Sequence, residues 1–167
     1  MSKLDLTIVI PVFNNQDTIR ELVRRIQKTV QKLNLTFEII LINDGSDDNS
    51  WDIISKITNE NKFIKGLNLS RNFGQHPAIL AGLEYCNSKW IIVMDADLQD
   101  KPEEISKLYS KALEGNDLVV GIKSYRKDSF FKKIGSKFFL KLYSFLSNTK
   151  VTLNIGNFGI YSHSVIE

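Results

Sequence analysis

From residue 90 to residue 100 the chain reads WIIVMDADLQD, and here an apolar run ends abruptly in acidic residues. Residues 90–94 have the length and composition of a buried strand. Asp95 and Asp97 leave that strand at a spacing of two, so both carboxylates can reach one Mg²⁺ or Mn²⁺, which prefers oxygen ligands shared with phosphates. In isolation such a turn also suits a solvated helix cap. In its context the stretch predicts a metal site that takes a nucleoside diphosphate.

On both sides of this stretch, short apolar strands alternate with amphipathic helices. The predicted strands are residues 7–12, 37–42, 63–69, 90–94 and 117–121, and helices are predicted to begin near Ile19, Trp51, Pro77 and Pro102. This alternation implies an α/β fold with right-handed crossovers, a mainly parallel sheet and helices on both faces. Ligands of such sheets lie at the carboxyl ends of the strands.

Two more polar loops are predicted at that same edge. Residues 43–47 read NDGSD after the second strand, and residues 70–75 read SRNFGQ after the third. One acidic loop can grip a base or ribose while the other holds the pyrophosphate. The combination raises the metal-site interpretation above the helix-cap alternative.

Composition and missing motifs exclude several classes of protein. The 167 residues, 43% hydrophobic and 25% charged, fit one globular domain rather than a disordered, collagen-like or coiled-coil chain. The single cysteine, Cys86, excludes an intramolecular disulfide and is expected to be buried on a helix in a reducing compartment. No secretory signal or membrane-spanning run is recognised, so a soluble or peripheral protein is expected. The absence of a phosphate loop, a dinucleotide fingerprint, a serine elbow and a Cys/His cluster argues against ATPases, nicotinamide enzymes, serine hydrolases and zinc proteins.

Basic charge is concentrated near the carboxyl end. Residues 123–150 contain eight Lys or Arg against Asp128 alone, within a chain whose net charge is +3. Residues 129–146 interleave aromatic and aliphatic side chains with lysines, and their apolar arc is wider than one core stripe needs. This block suits either an ordinary solvated face or a surface that meets phosphate or lipid headgroups. We expect a membrane surface as the partner, and not nucleic acid.

Five motifs together resemble a known family. They read PVFN at 11–14, NDGSD at 43–47, LSRNFG at 69–74, DADLQD at 95–100 and GNF at 156–158. In order and spacing they resemble the family 2 glycosyltransferases of the GT-A fold, in particular the polyprenyl-phosphate branch that includes dolichol-phosphate mannosyltransferase. The resemblance implies a Rossmann-like nucleotide-sugar domain, inversion at the anomeric carbon and a membrane lipid phosphate as acceptor.

The resemblance also implies roles for individual residues. The nucleotide-binding residues would be Pro11, Phe13, Asn15, Asp44, Arg71 and Asp95. The metal, Mg²⁺ or Mn²⁺, would be held by Asp95, Asp97 and Gln99, and the catalytic positions would be Asp97 and Asn157. The acceptor phosphate would meet Arg126, Lys132 and Ser136.

Two positions depart from the family pattern. Asn15 stands where the family usually has glutamate, and Asn157 stands where it usually has aspartate. A sugar hydroxyl needs a base to remove its proton, whereas a phosphate monoester, with a second pKa of about 6, is already mostly dianionic at neutral pH. The missing carboxylate therefore favours a lipid-phosphate acceptor.

The sequence thus predicts a metal-dependent inverting transferase that moves a sugar from a UDP- or GDP-sugar to polyprenyl phosphate. Residues 1–122 would form the nucleotide-sugar and metal-binding part, and residues 123–167 the acceptor- and membrane-facing part. The chain is expected to be a truncated or minimal family member that lies peripherally on the cytoplasmic side of a membrane. Two alternatives stay open: a nucleotide-sugar binding domain without turnover, and a transferase to a glycan hydroxyl in surface-polysaccharide synthesis.

Overall fold

The computed structural model describes residues 4–122 and 155–166. The strands are β1 Leu4–Val12, β2 Phe37–Asn43, β3 Ile64–Asn68, β4 Ser88–Val93, β5 Leu118–Ile122 and β6 Ile155–Ser162. The helices are α1 Ile19–Gln31, α2 Ser50–Glu60, α3 Gln75–Leu83, α4 Ile105–Leu113 and α5 His163–Ile166, with a 3-10 turn at Pro102–Glu104. Of the described residues, those at 4–120 and 157–166 belong to one compact unit.

The described strands form one mixed sheet in the order β3-β2-β1-β4-β6-β5. β1 pairs in parallel with both β2 and β4, and β2 pairs in parallel with β3. β6 pairs antiparallel with β4, so that Ile92 lies opposite Ile160. The chain thus runs outward from β1 to β3 and returns to the other side of β1 as β4. This reversal places a topological switch point between the carboxyl ends of β1 and β4.

Helices cover both faces of the sheet because successive strand residues point to opposite sides. On one face the strand residues Leu6, Ile8, Ile39 and Ile92 belong to a core that also contains the buried residues of α1, α2 and α4. On the other face α3 covers a smaller cluster formed by Val9, Ile40, Ile42, Ile91 and Val93. The mainly parallel α/β sandwich expected from the alternation of strands and helices is therefore the observed fold.

The helices that position the site differ from the sequence-based expectation in detail. Helix α3 begins at Gln75, two residues before Pro77, which occupies its third position. Cys86 lies beyond the end of α3 rather than on it, and it is half-buried. Desolvation is the main cause that raises the pKa of its thiol to about 12, so the sulfur stays protonated at neutral pH.

β6 is a strand that the apolar pattern of the sequence does not predict. It contains the GNF motif at 156–158, and its pairing with β4 inserts it between β4 and β5. Asn157, near the start of β6, therefore lies beside the carboxyl end of β4. Residues 123–154, which include Arg126, Lys132, Ser136 and the aromatic and basic run at 129–146, lie outside the described residues. Within the described part of the chain, no helix has the length and apolarity needed to cross a membrane.

Candidate active site

A cavity of about 390 Å³ lies at the switch point between β1 and β4, and we call it the switch-point cavity. Its lining comes from the ends of four strands and from the start of α3. The lining residues are Pro11, Val12, Phe13, Asn15, Asp44, Asn72, Gly74, Gln75, Asp95, Ala96 and Asp97. The structure therefore brings together five of the six residues expected to bind nucleotide and two of the three expected to bind metal.

The turn after β4 presents Asp95 and Asp97 differently. Asp95 is half-buried and Asp97 is exposed. The Gln99 backbone N–H donates to Oδ1 of Asp97 at 2.9 Å, a local turn that holds this carboxylate beside its own backbone. On the other side of the turn, the hydroxyl of Thr18 donates to the carbonyl of Ala96 at 2.6 Å. The acidic turn is therefore fastened to the start of α1.

Amide donors surround one oxygen of Asp95. The side-chain amide of Gln75 donates to Oδ1 at 2.7 Å, and the amide of Asn157 donates to the same oxygen at 3.4 Å. Gln75 comes from the first turn of α3 and Asn157 from β6, so three separate elements meet at this carboxylate. Asp95 and Asn157 have roles implied by the family motifs, whereas Gln75 is expected at this edge only as the last residue of the SRNFGQ loop.

Asp44 is buried and serves the backbone of a neighbouring loop. Its Oδ1 accepts the N–H of Phe73 at 2.8 Å, and its Oδ2 accepts the N–H of Gly74 at 3.0 Å. Gly45, with φ +64°, lets the two loops touch, because a Cβ there would lie 2.4 Å from the backbone of Arg71 and Asn72. Asp44 therefore holds the start of α3 in place while it lines the switch-point cavity.

A second cavity of about 510 Å³, the Arg71 cavity, lies between the loops that follow β2 and β3. Phe13 and Asn72 line both cavities, so the two spaces adjoin. The guanidinium of Arg71 lies 4.8 Å from the centre of the Phe73 ring, a cation–π distance. Arg71 thus lies at the adjoining cavity, near the expected nucleotide site but not in the lining of the switch-point cavity.

The loops after β1 and β2 are joined by side-chain hydrogen bonds. The N–H of Asn14 donates to Ser46 at 3.0 Å, and the side chain of Asn14 accepts the N–H of Asp47 at 2.9 Å. Burial opposes ionisation of Asp48, but hydrogen bonds from the Ser50 side chain and from the backbone N–H groups of Ser50 and Gln16 outweigh it and lower the pKa of that carboxyl. Ser46 of the NDGSD loop and Asp48 just after it therefore hold the two loops together.

A third cavity, of about 680 Å³, is mainly apolar and extends from Asn157 along α3; we call it the apolar cavity. Its walls are His76, Ile79, Leu80, Leu83 and Glu84 from the α3 region, Val93 from β4, and Asn157, Tyr161, Val165 and Ile166. Desolvation raises the pKa of Tyr161, so its phenol remains neutral. One polar end of this cavity, at Asn157, touches the carboxylate of the switch-point cavity.

Some residues expected at the metal and acceptor sites do not line the switch-point cavity. Gln99 is exposed and absent from the lining of the switch-point cavity, although its N–H contacts Asp97. Arg126, Lys132 and Ser136 fall outside the described residues. Within residues 4–122 and 155–166, no group of three or more His, Cys, Asp or Glu side chains is arranged to hold a metal ion. Gln75 belongs to the loop predicted at this edge, but its contact with Asp95 has no local sequence signal because the two residues are 20 positions apart.

Solved structures with this fold are found at low sequence identity. S. aureus TarS residues 1–349 match with a TM-score of 0.63 and 18% identity, over 98% of this chain and 48% of that chain. Glucosyl-3-phosphoglycerate synthase from Mycobacterium tuberculosis, in complex with Mn²⁺, UDP and glucosyl-3-phosphoglycerate, matches with a TM-score of 0.69 and 18% identity, over 97% and 58%. Mannosyltransferase PcManGT from Pyrobaculum calidifontis, in complex with GDP-Man and Mn²⁺, matches with a TM-score of 0.51 and 15% identity, over 58% of this chain and 28% of that chain.

At such identities the likeness establishes the fold alone, and it confirms the GT-A architecture expected from the motifs. The present chain spans 48% of the TarS chain and 58% of the synthase chain. The sequence model described as glycosyl transferase family 2 matches residues 7–167, which is nearly the whole chain, and the protein therefore belongs to that family.

Proposed function

We propose that this chain transfers the sugar of a UDP- or GDP-sugar to a polyprenyl phosphate, with inversion at the anomeric carbon and with Mg²⁺ or Mn²⁺ at the diphosphate. The observation that carries the proposal is the meeting of Asp95 and Asp97 with Pro11, Phe13 and Asp44 in one cavity at the switch point. Ligands of open α/β sheets bind at such a point. Membership of glycosyl transferase family 2 supports the reaction class.

The donor atoms at the switch point fit a hard divalent cation. Magnesium and manganese ions that act on nucleotides need only one or two carboxylates, because phosphates and waters complete the coordination. Asp95 and Asp97 would supply those carboxylates, and Gln99, next to Asp97, would add a third oxygen. When bound, the cation would neutralise charge on the leaving diphosphate. PcManGT and glucosyl-3-phosphoglycerate synthase, which have similar structures, are both known in complex with Mn²⁺, and this supports the choice of metal.

The nucleotide would occupy the switch-point cavity and extend toward the Arg71 cavity. Pro11 and Asn15 would contact it from the end of β1, and Phe13 would do so from the boundary between the two cavities. Asp44 would act here chiefly by fixing the loop at 71–74, because both of its oxygens already accept backbone N–H groups. Arg71 supplies positive charge on the adjoining side.

The acceptor would approach from the side of Asn157. Asn157 cannot act as a base, and the described carboxylates of the switch-point cavity are assigned either to the metal or to loop structure. Glu84, a carboxylate of the apolar cavity, lies about 13 Å along the axis of α3 from Gln75, at a rise of ~1.5 Å per residue. We therefore do not assign it as the base. A nucleophile that arrives already ionised, such as a phosphate monoester, suits this arrangement, and the apolar cavity suits a hydrocarbon chain attached to it.

The proposed transfer is a single displacement. An oxygen of the acceptor phosphate forms a bond to the anomeric carbon, while the bond from that carbon to the β-phosphate oxygen breaks. The electron pair leaves with the nucleoside diphosphate, and no proton needs to be removed from the acceptor. The described residues would bind and orient the two substrates rather than exchange protons with them.

The two alternatives make different demands on the same site. A binding domain without turnover would need the nucleotide contacts but no acceptor path. A transferase to a glycan hydroxyl would need a base, which Asn157 does not provide. We also propose that the protein lies peripherally on the cytoplasmic side of a membrane, where it would meet the polyprenyl phosphate.

The decisive experiment is a transfer assay with purified protein. We would supply UDP-glucose, UDP-N-acetylglucosamine and GDP-mannose in turn, each with Mn²⁺ or with EDTA, together with polyprenyl phosphate, a glycan or no acceptor. We expect a metal-dependent glycosyl phospholipid of inverted anomeric configuration, and no product from Asp97→Asn. Nucleotide binding without product would favour the binding domain, and a glycosylated glycan without lipid product would favour the hydroxyl transferase.

A further inference from the structure

We propose that Gln75 is a positioning residue that orients Asp95 for the nucleotide-bound cation. The inference rests on the proposed function, and it concerns a residue to which none of the five family motifs gives a role. Its basis is the 2.7 Å hydrogen bond from the Gln75 amide to Oδ1 of Asp95. At 3.4 Å, the bond from Asn157 to the same oxygen is much weaker by geometry. Among the described residues, Gln75 therefore makes the shorter of the two hydrogen bonds to this oxygen.

The start of α3 is built to keep Gln75 in place. Gly74 precedes it with φ +96°, and its N–H is shared between Asp44 at 3.0 Å and Asn72 at 2.9 Å. Asp44 is itself buried at the end of β2. A chain of contacts therefore runs from the end of β2 through the loop at 72–74 to Gln75 and from Gln75 to Asp95.

The orientation of a carboxylate needs such support because rotation about its last bond is soft and roughly two-fold. An amide donor on Oδ1 selects one orientation and leaves Oδ2 for a cation. Partners that orient metal ligands in this way typically contribute 10–100-fold to metal affinity or activity. Because the Gln75 amide is neutral, it fixes Asp95 without cancelling the charge that attracts the cation.

Side-chain chemistry at position 75 then predicts a graded series. Alanine removes the donor and frees the carboxylate. Asparagine keeps the donor but is one methylene shorter, so it fails to span the 2.7 Å contact without movement of the helix start. Glutamate keeps the length but places a second negative charge against Asp95, which opposes that orientation.

The test measures binding of UDP and of GDP by calorimetry over a series of Mn²⁺ concentrations and in EDTA, together with the electron paramagnetic resonance spectrum of bound Mn²⁺. The variants are Gln75→Ala, Gln75→Asn and Gln75→Glu, and Gln31→Ala, an exposed glutamine at the end of α1, is the matched control. We expect Gln75→Ala and Gln75→Glu to raise the Mn²⁺ concentration for half-maximal nucleotide binding about tenfold or more, and Gln75→Asn less. The Mn²⁺ spectrum should change, and for Gln75→Ala the nucleotide affinity should fall far more in Mn²⁺ than in EDTA, with the melting temperature unchanged.

Each outcome bears on a different claim. If Gln75→Ala has the Mn²⁺ dependence and the spectrum of Gln31→Ala, Gln75 positions nothing and the inference is wrong. If all position-75 variants lose affinity equally with Mn²⁺ and in EDTA, the residue merely supports the fold of the loop, which also overturns it. A wild-type protein that binds neither nucleotide at any Mn²⁺ concentration would instead refute the proposed function, and the inference with it.

Discussion

At the scale of single residues, Asn157 both departs from the family pattern and contacts the expected metal ligand Asp95. The family usually carries a carboxylate there, but in this protein the Asn157 amide donates to Asp95 at 3.4 Å. A carboxylate in its place would set two like charges against each other, which would raise the pKa of one of them. The asparagine is therefore consistent with a site that needs Asp95 ionised and needs no base.

We expect Asn157→Ala to keep transfer to polyprenyl phosphate within about tenfold of the wild-type rate. A long hydrogen bond of this kind contributes on the order of 1 kcal/mol at most, which is about fivefold. Loss of a general base would instead lower the rate roughly 10²–10⁴-fold. Initial rates at saturating Mn²⁺ measure the difference, with Asp97→Asn as the inactive reference. A loss beyond a hundredfold would contradict the assignment of the acceptor phosphate as an unassisted nucleophile.

At the scale of elements, the site depends on how closely two loops approach. Gly45 combines φ +64° with a distance of 2.4 Å from its would-be Cβ to the Arg71 and Asn72 backbone. Gly115 has φ +97°, yet no atom lies within 4 Å of its would-be Cβ. The two glycines therefore share a backbone requirement, but only Gly45 is also required for contact between elements.

We expect Gly45→Ala and Gly115→Ala both to lower the free energy of unfolding, each by about 1–2 kcal/mol from backbone strain. Only Gly45→Ala should in addition displace the loop at 71–74 and weaken Mn²⁺-dependent nucleotide binding. Urea unfolding measures the first effect and calorimetry the second. Equal nucleotide affinity in the two variants would mean that the contact between these loops has no part in the site.

At the scale of the whole molecule, two ion pairs join distant parts of the chain. The hydrogen bonds of Lys89 and Thr36 lower the pKa of Asp5 to about 2, and this pair connects β1 to β4. The hydrogen bond from Arg25 lowers the pKa of Glu103 to about 2, which connects α1 to the 3-10 turn. A carboxyl whose pKa is lower in the folded state contributes stability above its unfolded pKa and loses it as the pH falls through the folded value.

We therefore expect Glu103→Gln to lower the free energy of unfolding at pH 7 by no more than about 1 kcal/mol, because Glu103 is exposed and solvent screens the pair. The difference from wild type should shrink as the pH falls below about 4.5 and vanish only below pH 2. Urea unfolding between pH 7 and pH 2 measures it, with Glu104→Gln, which removes a pair within one helical turn, as control. A difference that persists unchanged at pH 2 would rule out this linkage.

The proposed peripheral membrane location would also be a property of the whole molecule. Residues 129–146, outside the described part, carry the lysines that we expect to meet anionic lipid, at about 1 kcal/mol for each lysine near the surface. Sedimentation with vesicles should require anionic lipid, weaken with salt and fall when Lys133, Lys137 and Lys141 are all changed to Glu. Equal recovery in the supernatant with and without anionic vesicles would refute the membrane proposal.

The sequence by itself determined the α/β class, the strands from β1 to β5 and the acidic turn after β4. These features are local: a buried strand needs a continuous apolar run, and an amphipathic helix needs apolar residues every three or four positions. The same local rules identified Pro11, Phe13, Asp44, Asp95 and Asp97 as residues at strand ends, and parallel strands then necessarily bring them to one edge.

Only the tertiary structure decided the contacts that join residues far apart in the chain. Nothing in residues 155–162 specifies that β6 inserts antiparallel between β4 and β5, because strand order depends on packing of the whole sheet. Asn157 meets Asp95 across 62 residues and Gln75 meets it across 20, and both contacts follow from that order and from where α3 begins. The hydrophobic pattern along the chain indicates which face of a helix or strand is apolar. Which other element that face packs against depends on the free energy of the entire fold.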